Sequence, residues 1–151
     1  MTGRALFDSN ILVYTLDAGA AVKQTRSAEV LDGFVHTGRG VLSTQVLGEF
    51  FRVVTQKLTN PLTPVEAYIE MERLVAAWLV LPVTAVVVVE AARGVRDHGL
   101  SYWDSQLWAT ARLNQVETIV TEDFQDGRVL EGVRFVNPYS PSFDLAALIG
   151  E

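Results

Sequence analysis

The chain has 151 residues, no cysteine and a formal net charge of −6. That length holds one domain with a self-sufficient core, and the missing cysteine excludes disulfides, thiolate zinc sites and thiol nucleophiles. The acidic balance argues against a broad basic surface for nucleic acid, although a cluster of acidic ligands would lower the net charge without describing the groove beside it.

Apolar residues make up 49% of the chain, which suits a parallel sheet covered on both faces. The longest apolar run, Leu74 to Val89, is broken by Pro82 and Thr84 and falls short of the roughly 20 residues of a membrane helix. The early apolar segment contains Asp8 and Asp17, unlike a secretory signal. Together with the missing cysteines, this points to a cytoplasmic protein with no membrane partner.

Ala5-Leu6-Phe7 reads as a first buried strand that ends at Asp8-Ser9-Asn10 and turns into a short helix. Asp8 and Asn10 both suit a helix N-cap. Val22 to Val35 is an amphipathic helix stopping near Gly38 and Gly40, and Val41-Leu42 is a second strand. Ser43-Thr44 opens the next helix, which runs through Lys57. Its stripe of Val46, Phe50, Val53 and Val54 carries Glu49 at the margin.

Thr63-Pro64 with Glu66 has the form of a cap, a proline at the first helical position and an early acid, followed by a helix to about Ala77. Leu79 to Leu81 is a third strand. Val86 to Val89 favours strand by propensity, but Glu90, Ala91, Ala92, Arg93, Val95 and Arg96 continue with helical spacing, so Thr84 to His98 is read as a helix.

Ser101-Tyr102-Trp103-Asp104 opens a further helix, on which Asp104 shares a face with Leu107, Trp108 and Ala111. An acid on an apolar face must be hydrogen-bonded, paired or metal-bound to offset its desolvation. Thr118 to Val120 is a fourth strand leading into Thr121-Glu122-Asp123, and Asp126-Gly127 is a turn. Val133 to Val136 is expected as a final edge strand, and the tail from Tyr139 carries a short helix that docks on the domain or on a partner.

No repeat, low-complexity tract or linker interrupts the chain. Residues 1–151 are expected to form a single domain, with a core of about 4–139 and a C-terminal extension of 140–151. Alternating strands and helices predict a three-layer α/β/α fold around a mostly parallel sheet of four to five strands. Sites in such folds lie beyond the carboxyl ends of the strands, where Asp8, Glu49, Asp104 and Asp123 would converge.

Packed carboxylates repel one another unless protons or cations intervene. His36 and His98 lack ligand spacing, and Asp and Glu oxygens suit Mg²⁺ or Mn²⁺. Such an ion can polarise a phosphoryl oxygen and generate a hydroxide for attack on a phosphodiester. Taken singly, the acids have plainer uses: capping for Asp8, a capping box for Ser101 and Asp104, turn chemistry for Asp123.

Asp8-Ser9-Asn10, Ser43-Thr44 with Glu49, Ser101-Tyr102-Trp103-Asp104 and Thr121-Glu122-Asp123 with Gln125-Asp126-Gly127 resemble the PIN domain, in particular the VapC-type ribonuclease toxins of bacterial toxin–antitoxin pairs. The closing Gly132 to Pro138 is similar to that family's final strand. The resemblance implies a Mg²⁺- or Mn²⁺-dependent endoribonuclease with Asp8 and Asp104 as principal metal ligands. It implies that Glu49 and Asp123 bind metal directly or through water, and Asp126 is a fifth acid. Ser9, Asn10 and Thr44 would orient ligands or waters. It also implies an RNA substrate, a homodimer and a cognate antitoxin protein.

Local cations for RNA are Lys23, Arg26 and Arg39 near the first long helix and Arg93 and Arg96 on the fifth. An aspartate-nucleophile phosphatase would need a second Asp where Asn10 stands, and a response-regulator receiver needs a lysine after a late strand, whereas the only lysines are Lys23 and Lys57. A catalytically idle module that binds RNA or protein, and a PIN nuclease outside toxin–antitoxin biology, are the alternatives that keep every acid.

Overall fold

The computed structural model describes residues 3–150. In chain order the elements are β1 (Ala5–Phe7), α1 (Ser9–Tyr14), α2 (Ala21–Val35), β2 (Gly40–Ser43), α3 (Thr44–Gln56), α4 (Pro64–Ala77) and β3 (Leu79–Leu81). There follow α5 (Ala85–His98), α6 (Tyr102–Leu113), β4 (Thr118–Val120), β5 (Val129–Leu130), β6 (Val133–Val136) and α7 (Leu145–Ile149). The sheet order is β3-β2-β1-β4-β6-β5, and every pairing is parallel except β5 with β6.

This is the expected parallel α/β architecture, with six strands instead of four or five. The additional strand is β5, whose two residues are too few to reveal an alternating pattern. It folds back on β6 through Glu131 and Gly132, both at positive φ (47° and 84°), as a tight hairpin turn requires. β6 is therefore not the edge strand expected: β5 covers its outer side, and Val133 and Phe135 are buried.

From β1 the chain builds outward through β2 to β3, then crosses back to place β4 on the other side of β1. The order thus reverses between β1 and β4, both wholly buried, in a ladder that pairs Phe7 with Val120. The residues that leave these two strands, Asp8 and Thr121, emerge side by side at this switch point.

Helix starts are fixed by side-chain caps. Ser43, Thr63, Thr84 and Ser101 each accept the backbone N–H three residues on, that of Val46, Glu66, Val87 and Asp104. The Thr84 cap starts the valine run as a helix. Val87, Ala91 and Gly94 face inward there, while Val86 and Val89 remain exposed. Inward packing overrides β-propensity because α5 lies tightly on α6. A Cβ on Gly94 would stand 2.8 Å from the Trp108 ring.

The tail docks on the domain itself. Tyr139 Oη and Ser27 Oγ are 2.6 Å apart, Leu148 is buried, and Leu145 and Ile149 lie against Gly33 of α2. Among the described residues, no helix is long and apolar enough to cross a membrane.

Candidate active site

Asp8 follows β1 directly and caps α1, with a relative exposure of 6%. Its Oδ1 accepts the Ser9 N–H at 2.7 Å and its Oδ2 accepts the Thr121 hydroxyl at 2.7 Å. Burial pushes its carboxyl up to about 7, with Asp123 and Glu49 adding repulsion against the lowering effect of the Thr121 and Ser9 hydrogen bonds. The capping role and the site role thus fall on one side chain.

Asp123 accepts Asn10 Nδ2 on Oδ2 at 3.1 Å, and its own N–H donates to Thr121 Oγ1 at 3.1 Å. Partial burial raises its pKa, followed by repulsion from Glu122 and Asp104. Asn10 Oδ1 is buried with no donor among the described residues. Glu49 accepts Ser9 Oγ on Oε2 and Gln45 Nε2 on Oε1, each at 2.9 Å.

Asp104 stands in the first turn of α6, above buried Leu107, Trp108 and Ala111 but itself only half-buried. Placement at the helix start lets the carboxylate leave the apolar face for the rim. Among the described residues no hydrogen-bond donor meets it. Ser101 accepts the Asp104 N–H at 3.3 Å, so the capping role expected of this pair also holds.

Asp8, Glu49 and Asp123 thus act on one another at this sheet edge, and Asp104 joins them through Asp123. The donor set is all oxygen, and the raised acids together with the buried, unpartnered Asn10 Oδ1 suit a hard cation. As the side chains stand, no three His, Asp or Glu groups among the described residues are gathered closely enough to hold one ion.

Two expected participants are engaged elsewhere. Asp126 Oδ1 accepts the Asn137 N–H at 2.9 Å, in a turn where Gly127 adopts φ 80°. Thr44 Oγ1 accepts the Val83 N–H at 3.1 Å and so ties α3 to the β3–α5 connection. Both side chains accept backbone N–H groups, and Thr44 also lines the groove beside Glu49.

The expected cations are also committed. Lys23 pairs with Glu122 at 2.7 Å, beside Tyr14, whose hydroxyl donates to Glu122 at 2.5 Å. Arg26 donates to the Pro138 carbonyl at 3.1 Å. Arg39 donates to the carbonyls of Gly3 and Ile149, at the amino edge of the sheet. Arg93 lies between Glu90, Asp97 and Glu131, and Arg96 pairs with Asp97 at 2.6 Å.

The structure adds residues that the sequence reading left without a role. Thr121 bridges Asp8 and Asp123, and its only sequence signal is its place at the end of β4. Gln45, one helical turn before Glu49, also donates to the Trp103 carbonyl at 3.0 Å and accepts Gln106 Nε2 at 3.1 Å. A groove of about 630 Å³ opens beside Glu49, lined by Ser9, Gln45, Gly48, Arg52 and Trp103 among others.

A mostly parallel, doubly wound domain with acids converging at its switch point is the class that this fold and site define. The PIN domain family model matches residues 5–129, and the chain belongs to that family. A search of curated proteins finds no match.

Among solved structures, a toxin–antitoxin complex from Klebsiella pneumoniae is similar at TM-score 0.63 and 19% identity, covering 89% of this chain and 98% of that one. VapC20 of Mycobacterium tuberculosis, described as a toxin cleaving the sarcin–ricin loop, is similar at TM-score 0.61 and 18% identity, covering 76% and 86%. DNA-bound VapBC from Salmonella typhimurium gives 0.63 and 15%, covering 88% and 96%. At these identities the likeness is one of fold.

Proposed function

We propose that this chain is a Mg²⁺- or Mn²⁺-dependent endoribonuclease and the toxin of a toxin–antitoxin pair, acting in the cytoplasm as a homodimer. The observation that carries the reading is the buried Asp8 carboxylate, with Glu49 and Asp123 facing it, at the switch point of a PIN domain. Bearing this many acids at one edge costs stability unless a cation offsets their repulsion. Family membership and the similar toxin structures support the activity and the protein partner.

In this reading Asp8, Glu49, Asp104 and Asp123 hold the ion, which when bound polarises a phosphoryl oxygen and lowers the pKa of water. Thr121 and the Ser9 N–H fix both oxygens of Asp8. Ser9 Oγ and Gln45 fix Glu49, and Asn10 steadies Asp123. No side-chain nucleophile is required. A cognate antitoxin would place a basic residue or a helix over the same acids.

The spread of the acids favours one second reading, an idle module that binds RNA or protein. The two separate in one assay. Wild-type protein should cut RNA with Mg²⁺ or Mn²⁺ and stop in EDTA, and the near-isosteric Asp104→Asn should be inactive while folded. Cleavage that survives EDTA, or an active Asp104→Asn protein, would sink the metal mechanism. Production of the chain alone should arrest bacterial growth, relieved by an adjacent small gene; nuclease activity without toxicity would place the enzyme outside toxin–antitoxin biology.

A further inference from the structure

The groove beside Glu49 has a composition that the metal chemistry does not use. Gln45, Gly48, Glu49 and Arg52 fall at i, i+3, i+4 and i+7, so they share one face of α3. At 1.5 Å per residue they span roughly 10 Å along the helix. Across from them stands Trp103, which is 63% exposed although its neighbour Asp104 belongs to the acid cluster. Its backbone is held by Gln45 through the 3.0 Å bond to its carbonyl, so the indole projects from a fixed point.

Arg52 is exposed and has no carboxylate partner among the described residues, although Glu49 lies one turn away. Glu49 bonds Ser9 and Gln45. The Arg52 guanidinium thus has no acidic partner among the described residues, unlike Lys23, Arg26, Arg93 and Arg96. Gly48 supplies an independent sign. A glycine inside a helix costs about 0.5–1 kcal/mol relative to alanine. Nothing lies within 4 Å of where its Cβ would stand, so packing does not demand it. What a side chain there would do is fill the groove.

The geometry points to this groove as the subsite for one nucleotide of single-stranded RNA next to the cleaved bond, with its base stacked on Trp103 and its phosphate on Arg52. The inference rests on the ribonuclease reading. An aromatic face accepts any base, and arginine matches phosphate with paired N–H donors. Ser9 and Glu49 line the groove and the acid cluster alike, so a strand seated here runs directly into the acids. The volume of about 630 Å³ falls within the range of roughly 300–1,000 Å³ usual for ligand pockets.

The test uses a short fluorescein-labelled single-stranded RNA of mixed sequence, with binding measured by anisotropy in the cleavage-impaired Asp8→Asn background and cleavage measured in otherwise wild-type protein. Trp103→Ala should weaken binding roughly 5- to 150-fold, the range given by loss of one stacked base, and Trp103→Phe should restore most of it. Arg52→Gln should weaken binding and reduce the salt-dependence slope by about one. Gly48→Leu should weaken binding without lowering the melting temperature.

Equal affinity in Trp103→Ala and wild type, or a Trp103→Phe protein that binds no better than Trp103→Ala, overturns the stacking role. An unchanged salt slope in Arg52→Gln overturns the phosphate contact. These failures are distinct from failure of the ribonuclease reading, in which the wild-type chain itself cuts no RNA.

Discussion

Thr121 and Asp8 meet because β1 and β4 are neighbours in register, Phe7 opposite Val120, so that the first residue beyond each strand faces the other. The 2.7 Å hydroxyl bond to Asp8 and the 3.1 Å bond from the Asp123 N–H make Thr121 the hinge pin between two acids. Thr121→Val keeps the shape and removes both bonds. Losing a supporting partner of a metal ligand typically costs 10- to 100-fold in affinity or activity, and a buried unmet partner costs about 1–3 kcal/mol of stability. Cleavage assays and urea unfolding should show both losses, with Thr121→Ser close to wild type. A Thr121→Val protein of full activity would remove Thr121 from the site.

Two glycines inside helices should respond in opposite ways to alanine. At Gly94 a Cβ would approach Trp108 to 2.8 Å, and the indole is fully buried, with its N–H donating to the Leu130 carbonyl at 3.1 Å. Neither the ring nor α6 can give way easily, so Gly94→Ala should lose about 1–3 kcal/mol from overpacking, more than the helix gain of at most about 1 kcal/mol. At Gly48 nothing opposes the Cβ, and Gly48→Ala should gain about 0.5–1 kcal/mol. Urea midpoints compare the two; a stabilised Gly94→Ala protein would show that α5 and α6 are not locked at this contact.

The charges that join α5, α6 and the β5–β6 turn predict a pH dependence. Arg93 hydrogen-bonds Glu90 and draws its carboxyl below the usual 4.5, and His98 followed by Arg93 does the same for Glu131. Arg96, with Arg93 behind it, lowers Asp97 below 3.8. Carboxylates lowered in the folded state stabilise it above their unfolded pKa, and that contribution disappears as pH falls through the folded values. Arg93→Gln should therefore lose stability at neutral pH and approach wild type only as pH falls below the ordinary 4.5 and 3.8 of these carboxyls, through their lowered folded values. Urea midpoints at neutral and acid pH test this, and parallel profiles would refute it.

Much of this was legible because strand ends and helix starts are written locally. The apolar triplets before Asp8 and after Glu117, and the caps at Ser43, Thr63, Thr84 and Ser101, needed only near neighbours in sequence. β5 was not legible, since two residues gain strand geometry only by pairing with β6. The turn at Asp126-Gly127 is legible from its dipeptide, whereas the bond that ties Asp126 to the Asn137 N–H spans residues far apart in sequence. Partners distant in sequence are equally hidden: Lys23 meets Glu122, Arg39 the Gly3 carbonyl and Arg93 Glu131, whereas Arg52 has no carboxylate partner among the described residues.

The acids also predict how metal should change stability. Asp8 holds a nearly buried carboxylate against Asp123 and Glu49, and a cation binding only the folded chain stabilises it by mass action. At about 100-fold excess over its dissociation constant, Mn²⁺ should contribute about 2.7 kcal/mol, a rise in melting temperature of roughly 5 to 10 °C at this chain length. Asp8→Asn removes the charge and keeps the shape. Its carbonyl oxygen can accept the Ser9 N–H, while its amide N–H₂ can donate to the Thr121 hydroxyl, which rotates to suit. This variant should melt above metal-free wild type and show little response to Mn²⁺. Calorimetric melts with and without the ion, repeated after EDTA, read both effects. A wild-type melt indifferent to Mn²⁺, or an equal shift in Asp8→Asn, would show that these acids do not share a cation.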